Sequence, residues 1–279
     1  IREDYPWVLV HTIQASPDSS AFGFSATQLK DYMADCKPDL LEAWNYPFSG
    51  VNPGGSPTTL YSGLEKYRVT ALAGNDLTGN RPIPTGFYTQ LFIDDLGNGL
   101  YSLSESEIRL NNFALWTFGF KKVIHFIYHW RAAHLPAVIL DTSDTSQPNA
   151  KFDQIAETTR QSLNLGSALV RLISTDLRML RGQHNPGAVN NDLPGYEETT
   201  GGTPINISTW NSGADPYMTN LTVTNISGKN SGLDGDLFVG YFKPLAAEFT
   251  NASHENDIYF MVLNGLSDTA ATPAQTQQQ

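Results

Sequence analysis

The sequence predicts an α/β segment built from strand–helix units, followed by an all-β segment. Three observations point there. Apolar runs of strand length alternate with amphipathic stretches up to about residue 175. Two of those amphipathic stretches open on capping boxes. Beyond them Gly, Asn, Ser, Thr and Pro dominate, helical periodicity stops, and short alternating runs take over. Continuous apolar strands alternating with amphipathic helices mean a parallel sheet with covering helices. Four such units amount to half of a (β/α)8-type (TIM) barrel. The expected architecture is a barrel segment of four βα units over residues 1–175, an antiparallel β-sandwich over 176–268, and a low-complexity tail over 269–279.

The first unit is WVLVHTIQ (7–14), a buried strand, and then FSATQLKDYMADCK, with Ser25 as N-cap and Gln28 three residues on. LLEAWNYPF (40–48) is the second strand, stopped by Pro47. After a Gly/Pro/Ser loop comes the helix TTLYSGLEKYRVTALAG, closed by Gly74 at its C′ position. GFYTQLF (86–92) is the third strand, leading into an acidic loop with Asp94 and Asp95. SESEIRLNNFALWTFGF (104–120) is the third helix, capped by Ser104 with Glu107 completing the capping box. KVIHFIYHW (122–130) is the fourth strand, and 149–173 reads as a longer fourth helix. In the last third, 205–210, 218–226, 236–242 and 257–265 read as short strands. The tail SDTAATPAQTQQQ carries no periodicity.

Composition narrows the partners. The 279 residues carry a net charge of −11, which argues against nucleic acid or an anionic membrane as partner, since both need a basic surface. No apolar run is long enough for a transmembrane helix. Cys36 is the only cysteine, so neither an intrachain disulfide nor a cysteine-based zinc site is available, and a packed or half-exposed thiol is expected. No His/Asp/Glu spacing suggests a metal, and PGGSP lacks the Lys of a phosphate loop, so neither metal nor cofactor is expected. The sequons at Asn206, Asn220, Asn225 and Asn251 are about as many as chance gives a chain of this composition. Their confinement to the last third favours a glycosylated, secreted or extracellular protein.

The third and fourth units, PIPTGFYTQLF and then RLNNFALWTFGFKKVIHFIYHW, resemble the last two units of a β-galactosidase-like glycoside hydrolase barrel. There a helix of similar pattern leads into an aromatic last strand. PDLLEAWNYPF is similar to the sixth strand of such enzymes, and GDLFVGYF and IYFMVLNG resemble their C-terminal β-sandwich. The resemblance implies a carbohydrate substrate and acid/base hydrolysis of a glycosidic bond. It also implies a missing N-terminal barrel half, or self-association of half-barrels, because four strands of eight are found.

In a barrel the chemistry lies at the carboxyl ends of the strands. Those ends are Gln14; Trp44, Asn45 and Tyr46; Tyr88 and Gln90; and Tyr128, His129 and Trp130. Flat aromatic faces pack on the C–H faces of a sugar, and amides and hydroxyls pair with its hydroxyl groups. Hydrolysis needs two carboxyl groups. The resemblance puts one on a strand that would precede Ile1 and the nucleophile on the strand that here carries Gln90, an amide. Asp94 and Asp95, just beyond that strand, are the catalytic candidates. Glu42 is expected buried and paired, and Glu105 and Glu107 are explained by helix capping. His129 is the histidine best placed for a sugar, while His11 and His125 are expected to be hydrogen-bonded in the core. The alternative is a non-catalytic carbohydrate-binding or structural protein that kept the scaffold and lost the acid pair.

Overall fold

A computed structural model describes residues 4–5, 7–15, 26–48, 58–93, 101–127, 139, 147–180, 207–221, 237–245, 254, 256–265 and 267. Its first sheet is parallel, with its strands in chain order: β1 (Ile13–Ala15), β2 (Leu41–Trp44), β3 (Thr85–Gln90) and β4 (Lys122–Phe126). Helices α1 (Ala26–Cys36), α2 (Thr58–Ala73) and α3 (Glu105–Thr117) make the three connections. The expected alternation of strands and helices is therefore present as an α/β arrangement.

Local sequence explains most helix ends. Ser104 accepts from the Glu107 N–H, and the Glu107 carboxylate accepts from the Ser104 N–H at 2.7 Å, so the capping box of α3 is formed as expected. Tyr101 adds its hydroxyl to the same carboxylate. Gly74 follows α2 at φ 73°, and a Cβ there would lie 2.2 Å from the Arg81 carbonyl oxygen, so only glycine fits. In α1, Leu29 and Met33 lie one turn apart and are both fully buried. Cys36, at the end of α1, is exposed rather than packed.

A second sheet has the order β6-β5-β7-β8: β5 (Leu172–Leu180), β6 (Ser208–Thr209), β7 (Leu237–Pro244) and β8 (Tyr259–Asn264). β5, β7 and β8 pair antiparallel, while the two-residue β6 runs parallel to β5. Helix α4 (Ala150–Leu169) leads into β5 and packs against α3. Asn149 caps α4 by accepting from the Lys151 N–H at 2.8 Å.

The two sheets share one apolar cluster, with α2 and α3 between them. Leu41, Ala43 and Phe87 of the parallel sheet belong to it, as do Leu177, Met179 and Phe238 of the second sheet. The Tyr61 ring of α2 lies 4.4 Å from that of Phe238, and its hydroxyl donates to the Gly265 carbonyl at 2.7 Å. From the same helix the Arg68 guanidinium, held bidentate by Glu65, donates to Ser174 of β5 at 3.0 Å.

Three expectations are corrected. The first strand is not the whole of 7–14: only Ile13–Ala15 pairs, and Trp7 and Leu9 are 76% and 69% exposed. No strand lies beyond β1 to pair with that run among the described residues. The fourth helix ends at Leu169 instead of Ile173, and Leu172–Leu180 is a strand. Met218–Leu221 is not strand, and the rest of 218–226 lies outside the described residues.

Candidate carbohydrate site

Register decides which residues of the parallel sheet face the helices. Leu41, Ala43, Thr85, Phe87, Thr89 and His125 share the helix-covered face, and the first five are buried. There Thr89 Oγ1 and His125 Nδ1 lie 2.8 Å apart, and burial lowers the imidazole pKa and keeps the ring neutral. His125 is thus hydrogen-bonded, as the sequence predicts, but half-buried rather than fully in the core.

The opposite face is packed by no helix among the described residues. Along it run Ile13, then Glu42 and Trp44, then Gly86, Tyr88 and Gln90, then Lys122, Ile124 and Phe126. Glu42 is fully buried even so, because its neighbours close over it. Lys122 reaches from β4 to within 2.6 Å of one carboxylate oxygen, and His11 approaches the other at 2.5 Å. The Lys122 contact is an ion pair, the His11 contact is one only when the imidazole carries its second proton, and neither is a directed hydrogen bond. The Lys122 contact crosses over Gly86, the residue between them in the register; a Cβ there would sit 2.8 Å from the Glu42 carboxylate. A buried carboxylate costs several kcal/mol to desolvate, and these two partners offset that. Glu42 is therefore buried and paired, as expected. His11 is not a core residue: it is partly exposed and covers Glu42.

Beyond this pair, at the carboxyl ends, the aromatic residues gather. The Trp44 and Tyr46 rings stack at 4.9 Å and 25°, Tyr46 stacks on Phe126 at 5.9 Å, and Phe92 meets Tyr46 edge-on at 4.8 Å. Tyr88 is in register with Trp44. The Tyr46 hydroxyl pKa is raised, first by burial and then by the charge that Tyr88 would carry, so Tyr46 remains a hydrogen-bond donor. The half-buried Asn45 holds an Nδ2 group with no hydrogen-bond partner among the described residues.

Gln90 has a definite structural task. Its Nε2 donates to the Phe48 carbonyl at 2.8 Å, and its Oε1 accepts from the Phe48 N–H at 3.2 Å. One amide side chain thus satisfies both backbone groups of a residue just past β2 and fixes the path of Asn45–Phe48. A carboxylate has no hydrogen to offer the carbonyl.

The structure brings Trp44, Asn45, Tyr46, Tyr88 and Gln90 together at one end of the sheet. Gln14, the middle residue of β1 and in register with Ala43, is buried and donates to Thr12 Oγ1 at 2.6 Å. Asp94, Asp95, Tyr128, His129 and Trp130 lie outside the described residues, as do Asn206, Asn225 and Asn251; Asn220 is exposed. Phe92 and Phe126 belong to the cluster but were not singled out by sequence reasoning. Phe92 ends the predicted strand 86–92, and that position was the available signal; Phe126 lies in the middle of the predicted strand 122–130 and comes to a strand end only because β4 stops there. No protein-family model matches the chain, and no curated protein or solved structure is detectably similar to it.

Proposed function

We propose that this chain is the C-terminal half of a glycoside hydrolase-like (β/α)8 barrel with a C-terminal β-sandwich, and that it acts on a carbohydrate by acid/base hydrolysis of a glycosidic bond. The carrying observation is the two-faced parallel sheet. One face is covered by helices, and the other, with no helix on it among the described residues, carries an aromatic and amide cluster at its carboxyl ends. Closing a barrel would cover that second face, where Ile13 is 46% exposed. The occupant of that face is a further set of βα units, or a second copy of this half-barrel. Trp44, Asn45, Tyr46 and Tyr88, with Tyr128, His129 and Trp130, line the sugar cleft, Gln90 holds its wall through Phe48, and Asp94 or Asp95 supplies a carboxyl group.

The test is hydrolysis of aryl glycosides and oligosaccharides by the protein as isolated from its source. Asp94→Asn or Asp95→Asn is expected to lower the rate by about a hundred-fold or more. Full activity in both variants overturns the assignment of the carboxylate.

A second reading, a non-catalytic carbohydrate-binding or structural protein, is favoured by one feature. Among the described residues no Asp or Glu stands at the carboxyl ends of β1–β4, and Gln90 is tied to Phe48. Glycan binding without turnover supports it, and robust turnover ends it.

The protein is also proposed to be secreted and N-glycosylated. The natural protein is expected to migrate faster after peptide-N-glycosidase treatment, with Asn220 among the modified residues, because its side chain is exposed. Unchanged migration would remove the glycoprotein reading.

A further inference from the structure

A concavity lies at the end of the parallel sheet away from the aromatic cluster, where β3 begins. It has a volume of about 380 Å³ and is walled mainly by Leu72, Ile83, Phe118, Val170, Leu172 and Leu245. It therefore sits between α2, the turn after α3 and the first residues of β5. Pro82 and Pro84 stiffen one wall. Nothing in the carbohydrate reading uses this space, because barrel chemistry belongs to the carboxyl ends of the strands.

Two cations line it, and they are not equivalent. Arg68 is satisfied: Glu65 grips it through Nε and one terminal nitrogen, and the other terminal nitrogen donates to Ser174. Lys121 has no carboxylate partner among the described residues. Its ammonium donates to the carbonyl oxygens of Leu169 and Leu172, which leaves one of its three donors over. Burial pushes its pKa down to about 8. An apolar cavity with one uncompensated, half-buried ammonium is complementary to an amphiphile with a single negative head.

We propose that this cavity binds an aliphatic carboxylate of about ten carbons, with its chain against Leu72, Ile83 and Phe118 and its carboxylate ion-paired with Lys121. The site is independent of the sugar cleft and stands or falls without it.

The test uses the whole 279-residue chain and sub-micellar decanoate, with 1-decanol as the uncharged probe, in isothermal titration at pH 7. Saturable 1:1 binding of decanoate is expected, about ten-fold or more tighter than decanol. Lys121→Met is expected to remove that preference and leave decanol binding in place. Lys121 also ties the end of α4 to β5, so a second variant guards against misfolding. Leu72→Trp fills the cavity and leaves Lys121 in place; it should bind neither probe, while decanoate raises the melting temperature of the unaltered chain. Absence of saturable decanoate binding overturns the proposal. Equal affinity for the two probes, or undiminished decanoate affinity in either variant, does so too.

Discussion

Gly240→Ala is expected to destabilise the protein by roughly 3–4 kcal/mol, a large loss for a single added methyl group. Gly240 lies in β7, paired with Leu177 and Met261. A Cβ there would sit 2.1 Å from the carbonyl oxygen of Thr117, the last residue of α3, and 3.1 Å from the Phe242 ring. Backbone oxygen cannot rotate away as a side chain can. Either β7 separates from α3 or the end of the helix shifts, and both open the cluster shared by the two sheets. Urea unfolding should show a lower midpoint with an unchanged slope. Gly166→Ala is the control: it lies inside α4, and no described residue stands within 4 Å of the place its methyl group would take. That change should stabilise by about 0.5–1 kcal/mol. Equal, small effects at both positions would mean that the second sheet does not press on α3.

Gln90→Glu is expected to cost about 3 kcal/mol at pH 8 and distinctly less at pH 4. Gln90 is 2% exposed, and its amide faces the Phe48 carbonyl at 2.8 Å. An ionised carboxylate there loses the donor and opposes a carbonyl oxygen in a buried place. Burial and that oxygen raise the folded-state pKa above the unfolded value of about 4.3. The sign follows: stability is retained below the unfolded pKa, where the acid is protonated and donates to Phe48, and is lost as pH rises through the folded pKa. Gln90→Met should lose stability without that pH dependence. The comparison is a pair of denaturant titrations at each pH. A Gln90→Glu variant as stable as the parent at pH 8 would remove the clamp as the reason for glutamine here. The position would then be open to a role in chemistry.

Local signals carried much of the fold. Ser104 and Glu107 are three residues apart and bond each other whatever else surrounds them, and Gly74 sits where an α-helix must leave the right-handed region. Such features are written in adjacent residues, and so the order of strands and helices through α3 was legible. The aromatic and amide residues of the site were legible for the same reason: they stand at predicted strand ends.

What was not legible depends on partners distant in sequence. In β5 the buried residues are Leu172, Ser174, Leu177 and Met179, because a bulge between Ser174 and Asp176 shifts the alternation by one. That broken period mimics helical spacing, and only pairing with β7 decides for a strand. The run 7–12 has the composition of a strand but no neighbour on its outer side among the described residues, so composition alone could not make it one. Glu42, Gly86 and Lys122 stand far apart along the chain, and the parallel register sets them side by side. The sequence by itself determined the alternation of elements, the helix caps and the chemical character of the strand ends. Tertiary structure alone decided which carboxylate is paired, which amide is spent on backbone and which lysine has no counter-charge among the described residues, because charge pairing and desolvation act between groups that only the packed sheets bring together.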